Sequence, residues 1–341
     1  MGNKGIAASQ HLRQRNKTQR GGQCSQTIPF DRSKPGNLAN YSDAYLSWLA
    51  VRNYSDSTIV SRRCTLDMFL IWAQERDLIR AKDVSKAMLE SYMRWLHRYR
   101  KANGKPLGYG TQRDRISGVR DFFRWLCRSD HIPFNPASEL ELPRPEKRLP
   151  EEPLTIQQVE TVLGLPDLSD PLGVRDRAIL EVFYSCGLRR SELVHLEETD
   201  LNRERHTLQI RQGKGKKDRV VPVGQRALAW LEKYLEEVRP QLVLSLREHT
   251  LFLTSYGEAF NPDVLSRQVA AYIKKADLGR GGSCHLFRHT CATHMLEGGA
   301  DIRFIQQLLG HASIETTQIY TEVSIKQLQR VHEQTHPAKL R

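Results

Sequence analysis

Apolar residues recur every three to four positions from residue 41 to about residue 126, the spacing of helices that bury one face. Tyr45, Leu46, Trp48 and Leu49 open the pattern, and Ile59, Leu66, Phe69, Leu70 and Trp72 continue it. Met88, Tyr92, Trp95, Leu96 and Tyr99 follow, and Ile116, Val119, Phe122, Phe123 and Leu126 close it with a 3.6-residue period. The opposite side of this last predicted helix carries Arg113, Arg120 and Arg124, at i, i+7 and i+11. Such a row suits either a solvated face or contact with a polyanion. The pattern stops at residues 143–150, where three prolines among eight residues resist both helix and sheet and predict an extended linker.

Beyond the linker, Thr155-x-x-Gln158 predicts a helix start through a capping box. Residues 176–186 form an apolar helix (Ile179, Leu180, Val182, Phe183, Tyr184) that Gly187 stops. Leu208-Gln209-Ile210 and Val221-Pro222-Val223 flank Gly213-Lys214-Gly215-Lys216-Lys217-Asp218 and predict a β-hairpin, with Pro222 at the end of an edge strand. Ala300-Asp301 opens a helix with Ile302, Ile305, Leu308 and Leu309 on one face and Gly310 as its stop. Ser313 then caps a short helix with Thr316, Thr317 and Tyr320, and Ile325, Leu328 and Val331 line a final amphipathic helix over 323–332. The fold is mainly α with a small β-sheet. Four segments result: a polar, basic, disordered tail over 1–37, a helical domain over 38–142, a linker over 143–153 and a second domain over 154–341.

Charge sharpens this division. The formal net charge of +13 points to a polyanionic partner, and its placement is uneven. Residues 1–37 carry seven Lys/Arg against one acid and residues 38–142 carry seventeen against twelve, so the excess lies in the N-terminal half. Six cysteines (Cys24, Cys64, Cys127, Cys186, Cys284, Cys291) include no Cys-x-x-Cys pair, and no signal-peptide pattern precedes them. No apolar run approaches membrane length, and the Met-Gly-Asn-Lys-Gly-Ile start lacks the hydroxyl residue of a myristoylation signal. The expectation is a soluble cytoplasmic protein with reduced thiols.

The chemistry concentrates late in the chain. His285, Leu286, Phe287, Arg288 and His289 are followed by Gly310-His311 and, nine residues on, by Tyr320. Arginine and imidazole donors beside a phenol suit attack on a phosphodiester, the donors holding charge while the tyrosine oxygen is the nucleophile. Gly187-Leu188-Arg189-Arg190-Ser191-Glu192-Leu193 adds an arginine in a helix break, and Lys214 adds a lysine in the hairpin turn. That turn is not a phosphate-binding P-loop, because Gly-x-x-x-x-Gly-Lys-Ser/Thr is missing. His285-x-x-x-His289 has zinc spacing, with His294, Cys284 and Cys291 nearby, but the glutamate of His-Glu-x-x-His is absent. No metal and no cofactor are expected.

In this order and spacing, these segments resemble the tyrosine recombinase (phage integrase) family, above all its bacterial Xer-like branch, over about 300 residues from Tyr41 onward. Phe287 stands where that family more often has Leu. The resemblance implies an N-terminal SAM-like core-binding domain and an α+β catalytic domain that close on DNA as a C-shaped clamp. It implies Tyr320 as nucleophile, Arg189, Arg288 and His311 as transition-state donors, Lys214 as general acid and His285 as a positioning or proton-accepting group. Glu192 would support the site, and Arg113, Arg120 and Arg124 would touch DNA. Expected partners are duplex DNA with inverted-repeat half-sites, a homo- or hetero-tetramer at synapsis, and a second recombinase or an accessory protein. Mobile-element integration, excision and chromosome resolution all stay open. A type IB topoisomerase and a catalytically retired, DNA-binding integrase are the alternatives.

Overall fold

The computed structural model describes residues 36–144, 152–211, 218–245 and 247–310. The chain divides into two compact units, one ending at Lys147 and the other starting at Arg148.

The first unit is helical among its described residues. Helices α1 (Leu38–Val51), α2 (Asp56–Gln74) and α3 (Lys86–Arg98) each begin with a side chain that accepts a backbone N–H: Asn37, Ser55 and Ser85. Helix α4 (Tyr109–Arg128) starts from Gly108 without a side-chain cap. The predicted stripes face one core, where Leu46, Phe69, Tyr92, Leu96, Ile116, Phe122 and Phe123 are buried. In α3 the buried stripe runs through Leu89 rather than Met88. Phe69 is the hub, edge-on to Tyr92 at 5.2 Å and to Phe123 at 5.8 Å. Such ring pairs add directional attraction to the burial itself.

The second unit surrounds α6 (Pro171–Cys186), whose apolar residues Ala178, Ile179, Leu180, Val182 and Phe183 are buried on every side. Asp170 caps it and Pro171 occupies its first turn, so it starts five residues before the predicted position. Helix α5 (Ile156–Leu163) precedes it, and both halves of the predicted Thr155–Gln158 capping box are present. Helix α7 (Arg190–Val194) follows. Strands β1 (Leu201–Asn202), β2 (Thr207–Ile210) and β3 (Arg219–Pro222) form an antiparallel sheet in that order. Leu208 pairs with Val221 and Ile210 with Arg219, and Pro222 closes the edge strand. The short first strand was not predicted.

Helix α8 (Gln225–Lys233) runs through a π-helical stretch, Tyr234–Val238, into α9 (Arg239–Leu242). Buried Arg239 donates to the carbonyls of Glu248, Thr250 and Leu251. Helices α10 (Pro262–Lys275), α11 (Cys284–Glu297) and α12 (Ile302–Leu309) complete the described unit. No helix among the described residues is long and apolar enough to cross a membrane.

Candidate active site

The site begins where α6 stops. Gly187 takes the left-handed conformation (φ 58°), and its N–H returns to the Phe183 carbonyl at 3.1 Å. Buried Leu188 anchors the turn, and Arg189 follows as extended chain at the N-cap of α7. Glu192 sits in the first turn of α7, where its Oε2 accepts the Arg189 backbone N–H at 2.8 Å and its Oε1 accepts Arg189 Nη1 at 2.7 Å.

A second arginine grips the same carboxylate. Arg219, the first residue of β3, donates Nη1 to Glu192 Oε1 at 2.9 Å and Nη2 to Oε2 at 2.8 Å. Burial alone would push the Glu192 carboxyl up. The Arg219 hydrogen bonds and charge, with the hydrogen bonds from Arg189, overturn that and hold it at about 2.

The arginines meet again at the end of α12. Its last carbonyls have no partner within the helix and carry the negative end of its dipole. Arg219 Nε donates to Leu308 O at 2.9 Å, Arg288 Nη2 to Leu309 O at 2.7 Å, and Arg189 Nη2 to Gly310 O at 3.3 Å. Three consecutive carbonyls are thus each held by a different guanidinium. Arg288, 1% exposed, also donates Nη1 to Gly187 O at 2.6 Å, so it ties the stop of α6 to the stop of α12. Gly310 is left-handed as well (φ 63°), and the chain then passes to His311.

Of the sequence-predicted residues, Arg189 and Arg288 come together in this cluster. His285 lies exposed in the first turn of α11, three residues before Arg288, while His289 is buried. Lys214, His311 and Tyr320 lie outside the described residues, as do the helices expected around Tyr320 and over 323–332 and the tail over 1–35. Phe287 is fully buried in the core. Burial pushes the thiols of Cys186 and Cys291 up to about 12 and that of Cys284 to about 11. Among the described residues no three His, Cys, Asp or Glu side chains are placed to hold a metal ion.

Arg219 was missed. Strand alternation puts it on the same face as Val221, which is fully buried. A cation at an inward position signals a buried partner, and that signal was available in the sequence. On α4, Arg113 Nη1 donates to Pro143 O at 2.7 Å, and Arg124 pairs with Asp121, which also takes Arg62 at 2.6 Å. Arg120 is half-buried.

Comparison with known proteins settles the family. The Phage integrase family profile matches residues 152–327, and the Phage integrase N-terminal SAM-like domain matches residues 43–130. The chain is 48% identical to Tyrosine recombinase XerC 2 of Ralstonia nicotianae over 303 residues, covering 89% of this chain and 87% of that protein. The chain belongs to the phage integrase family. It is 38% identical to Tyrosine recombinase XerD of Pseudomonas putida, covering 85% of this chain and 94% of that one. The solved XerH site-specific recombinase bound to palindromic difH shares the fold, with a TM-score of 0.66 at 22% identity over 85% of this chain and 83% of that one. The protein is a site-specific DNA recombinase of the tyrosine type, mainly helical, with a SAM-like N-terminal domain and a catalytic domain. These relatives do not favour the topoisomerase-like alternative.

Proposed function

We propose that Tyr320 attacks one phosphate of duplex DNA, leaving a 3′-phosphotyrosine and a 5′-hydroxyl, and that the reverse attack by a new strand rejoins the DNA. Arg189, Arg288 and His311 stabilise the pentacoordinate transition state. Lys214 protonates the leaving 5′ oxygen, and His285 positions or accepts a proton. The observation that carries this reading is the convergence of Arg189 and Arg288 on the carbonyls of Leu309 and Gly310, immediately before His311. Arginine forks match phosphate oxygens, and losing one such donor costs roughly 10²–10³ in rate. The phosphotyrosine conserves the energy of the broken bond, so rejoining needs no ATP, and the arginines, His311 and Lys214 supply the charge stabilisation and the proton without a metal.

The domain assignment is part of this reading. Residues 38–142 grip the duplex, with Arg113, Arg120 and Arg124 on that side, residues 143–153 link, and residues 154–341 carry the chemistry. The basic tail expected over 1–37 stops short of Asn37, which is the buried cap of α1. The XerH recombinase bound to palindromic difH supports inverted-repeat half-sites as the target. Four subunits exchange strands in pairs, alone or with a second recombinase or accessory protein, on bacterial DNA in the cytoplasm at the nucleoid.

Capture of covalent protein–DNA adducts from the host, with the attached DNA sequenced, tests this. Wild type should enrich a few inverted-repeat sites and Tyr320→Phe none, while that variant still binds the same DNA. Adducts that persist in Tyr320→Phe would refute the nucleophile, and diffuse Tyr320-dependent adducts would favour topoisomerase-like action.

A further inference from the structure

We propose that Arg219 is a positioning residue for the reaction: by occupying Glu192, it keeps Arg189 presented to the scissile phosphate. The inference rests on the role of Arg189 proposed above and adds a group outside the predicted set.

The geometry makes Arg219 unsuited to touching substrate itself. Its side chain is 11% exposed against 21% for Arg189, and its Nε, Nη1 and Nη2 all donate within the protein. Its stem also passes beneath the Gly310 turn, where a Cβ on that glycine would lie 3.1 Å from Arg219 Cδ. Arg219 is therefore fixed by β3, by α12 and by the carboxylate together.

What it fixes is a competition. Glu192 has two oxygens and two arginines within reach. A carboxylate prefers to close a planar fork with two parallel hydrogen bonds. Arg219 forms that fork, so Glu192 holds Arg189 by one guanidinium nitrogen at 2.7 Å and by the backbone N–H, while Nη2 of Arg189 reaches Gly310 O at 3.3 Å. Without Arg219, both oxygens of a buried, ionised carboxylate would be open to the Arg189 guanidinium. Its fork would close on Glu192, and donors needed by an incoming phosphate would face inward. Arg219 thus sets the charge balance as well: one carboxylate is shared between two cations instead of neutralising Arg189 alone.

The test compares adduct formation on two duplexes carrying the site recovered in the adduct capture. One has the ordinary scissile phosphodiester, and the other has a methylphosphonate there, which replaces a charged non-bridging oxygen with methyl. The neutral substrate has less need of a guanidinium. Arg219→Gln should slow adduct formation on the phosphodiester roughly 10-fold to 100-fold, by analogy with the loss of a partner that orients a metal ligand. On the methylphosphonate the deficit relative to wild type should shrink several-fold. Arg219→Lys, which keeps the charge but lacks the fork, should show a smaller deficit with the same substrate dependence. It also serves if the glutamine variant fails to fold. Equal deficits on both substrates, or no deficit on the phosphodiester, would overturn the proposal and leave Arg219 a structural residue. Arg189→Ala is the control. If its own deficit ignores substrate charge, the assignment of Arg189 falls; if it follows charge and Arg219 does not, only the present inference falls.

Discussion

Glu192 makes the site sensitive to acid in a defined direction. Its carboxyl is held at about 2 in the folded chain against an ordinary value of 4.5, so folding favours its ionised form. The stability it contributes is complete above pH 4.5 and is lost as pH falls toward 2. Denaturant midpoints measured down this range should drop more steeply for wild type than for Glu192→Gln, which starts lower and has no proton to gain. Arg288 makes a second residue-scale case. Gly187 O and Leu309 O are met by two separate nitrogens of a planar fork, which the single, rotatable ammonium of lysine does not reproduce, and a buried carbonyl left unpaired costs about 1–3 kcal/mol. Arg288→Lys should therefore lower the chemical denaturation midpoint as well as activity. Arg189 and Arg288 were legible because each sits inside a dense motif of neighbours. Strand alternation marked Arg219 as inward-facing, but its partner was not legible, because Glu192 is 27 residues away and only the folded chain brings them together.

At the scale of elements, two left-handed glycines do most of the positioning. A Cβ on Gly187 would lie 2.9 Å from Leu309 Cδ2, at a φ of +58° that L side chains rarely adopt. Gly187→Ala should cost about 1–2 kcal/mol from backbone conformation alone. The Leu309 methyl must give way, and because that side chain is fully buried the strain passes to α12 and its carbonyls, so activity should fall further than stability predicts. A melting curve read beside the adduct rate separates these effects. An adduct rate that falls no more than stability does would show that α12 is not displaced. Glycine stops, the Thr155 capping box and the amphipathic stripes of α1 to α4 were readable because each is a local rule obeyed locally. The π-helical stretch Tyr234–Val238 obeys no such rule. It is held from outside, with the Tyr234 hydroxyl accepting the Leu253 N–H and Arg239 bound to distant carbonyls. The two-residue strand β1 was likewise invisible, because it exists only by pairing with β2.

At the scale of the whole molecule, each unit closes a core of its own. The first draws on residues from Leu38 to Leu140, and the second starts again at Leu154. A fragment spanning residues 36–144 should therefore fold alone and melt in one cooperative step, since its aromatic cluster lies entirely within it. A broad, featureless melt would show that this core depends on the rest of the chain. The division also bears on heredity. A genetic crossover between codons 145 and 151 splits neither core and leaves Glu192 with both of its arginines, so relatives could exchange front halves without rebuilding the arginine cluster. Chimaeras joined there should keep the chemistry of the parent that supplies residues 152 onward, read as adduct formation on that parent's site.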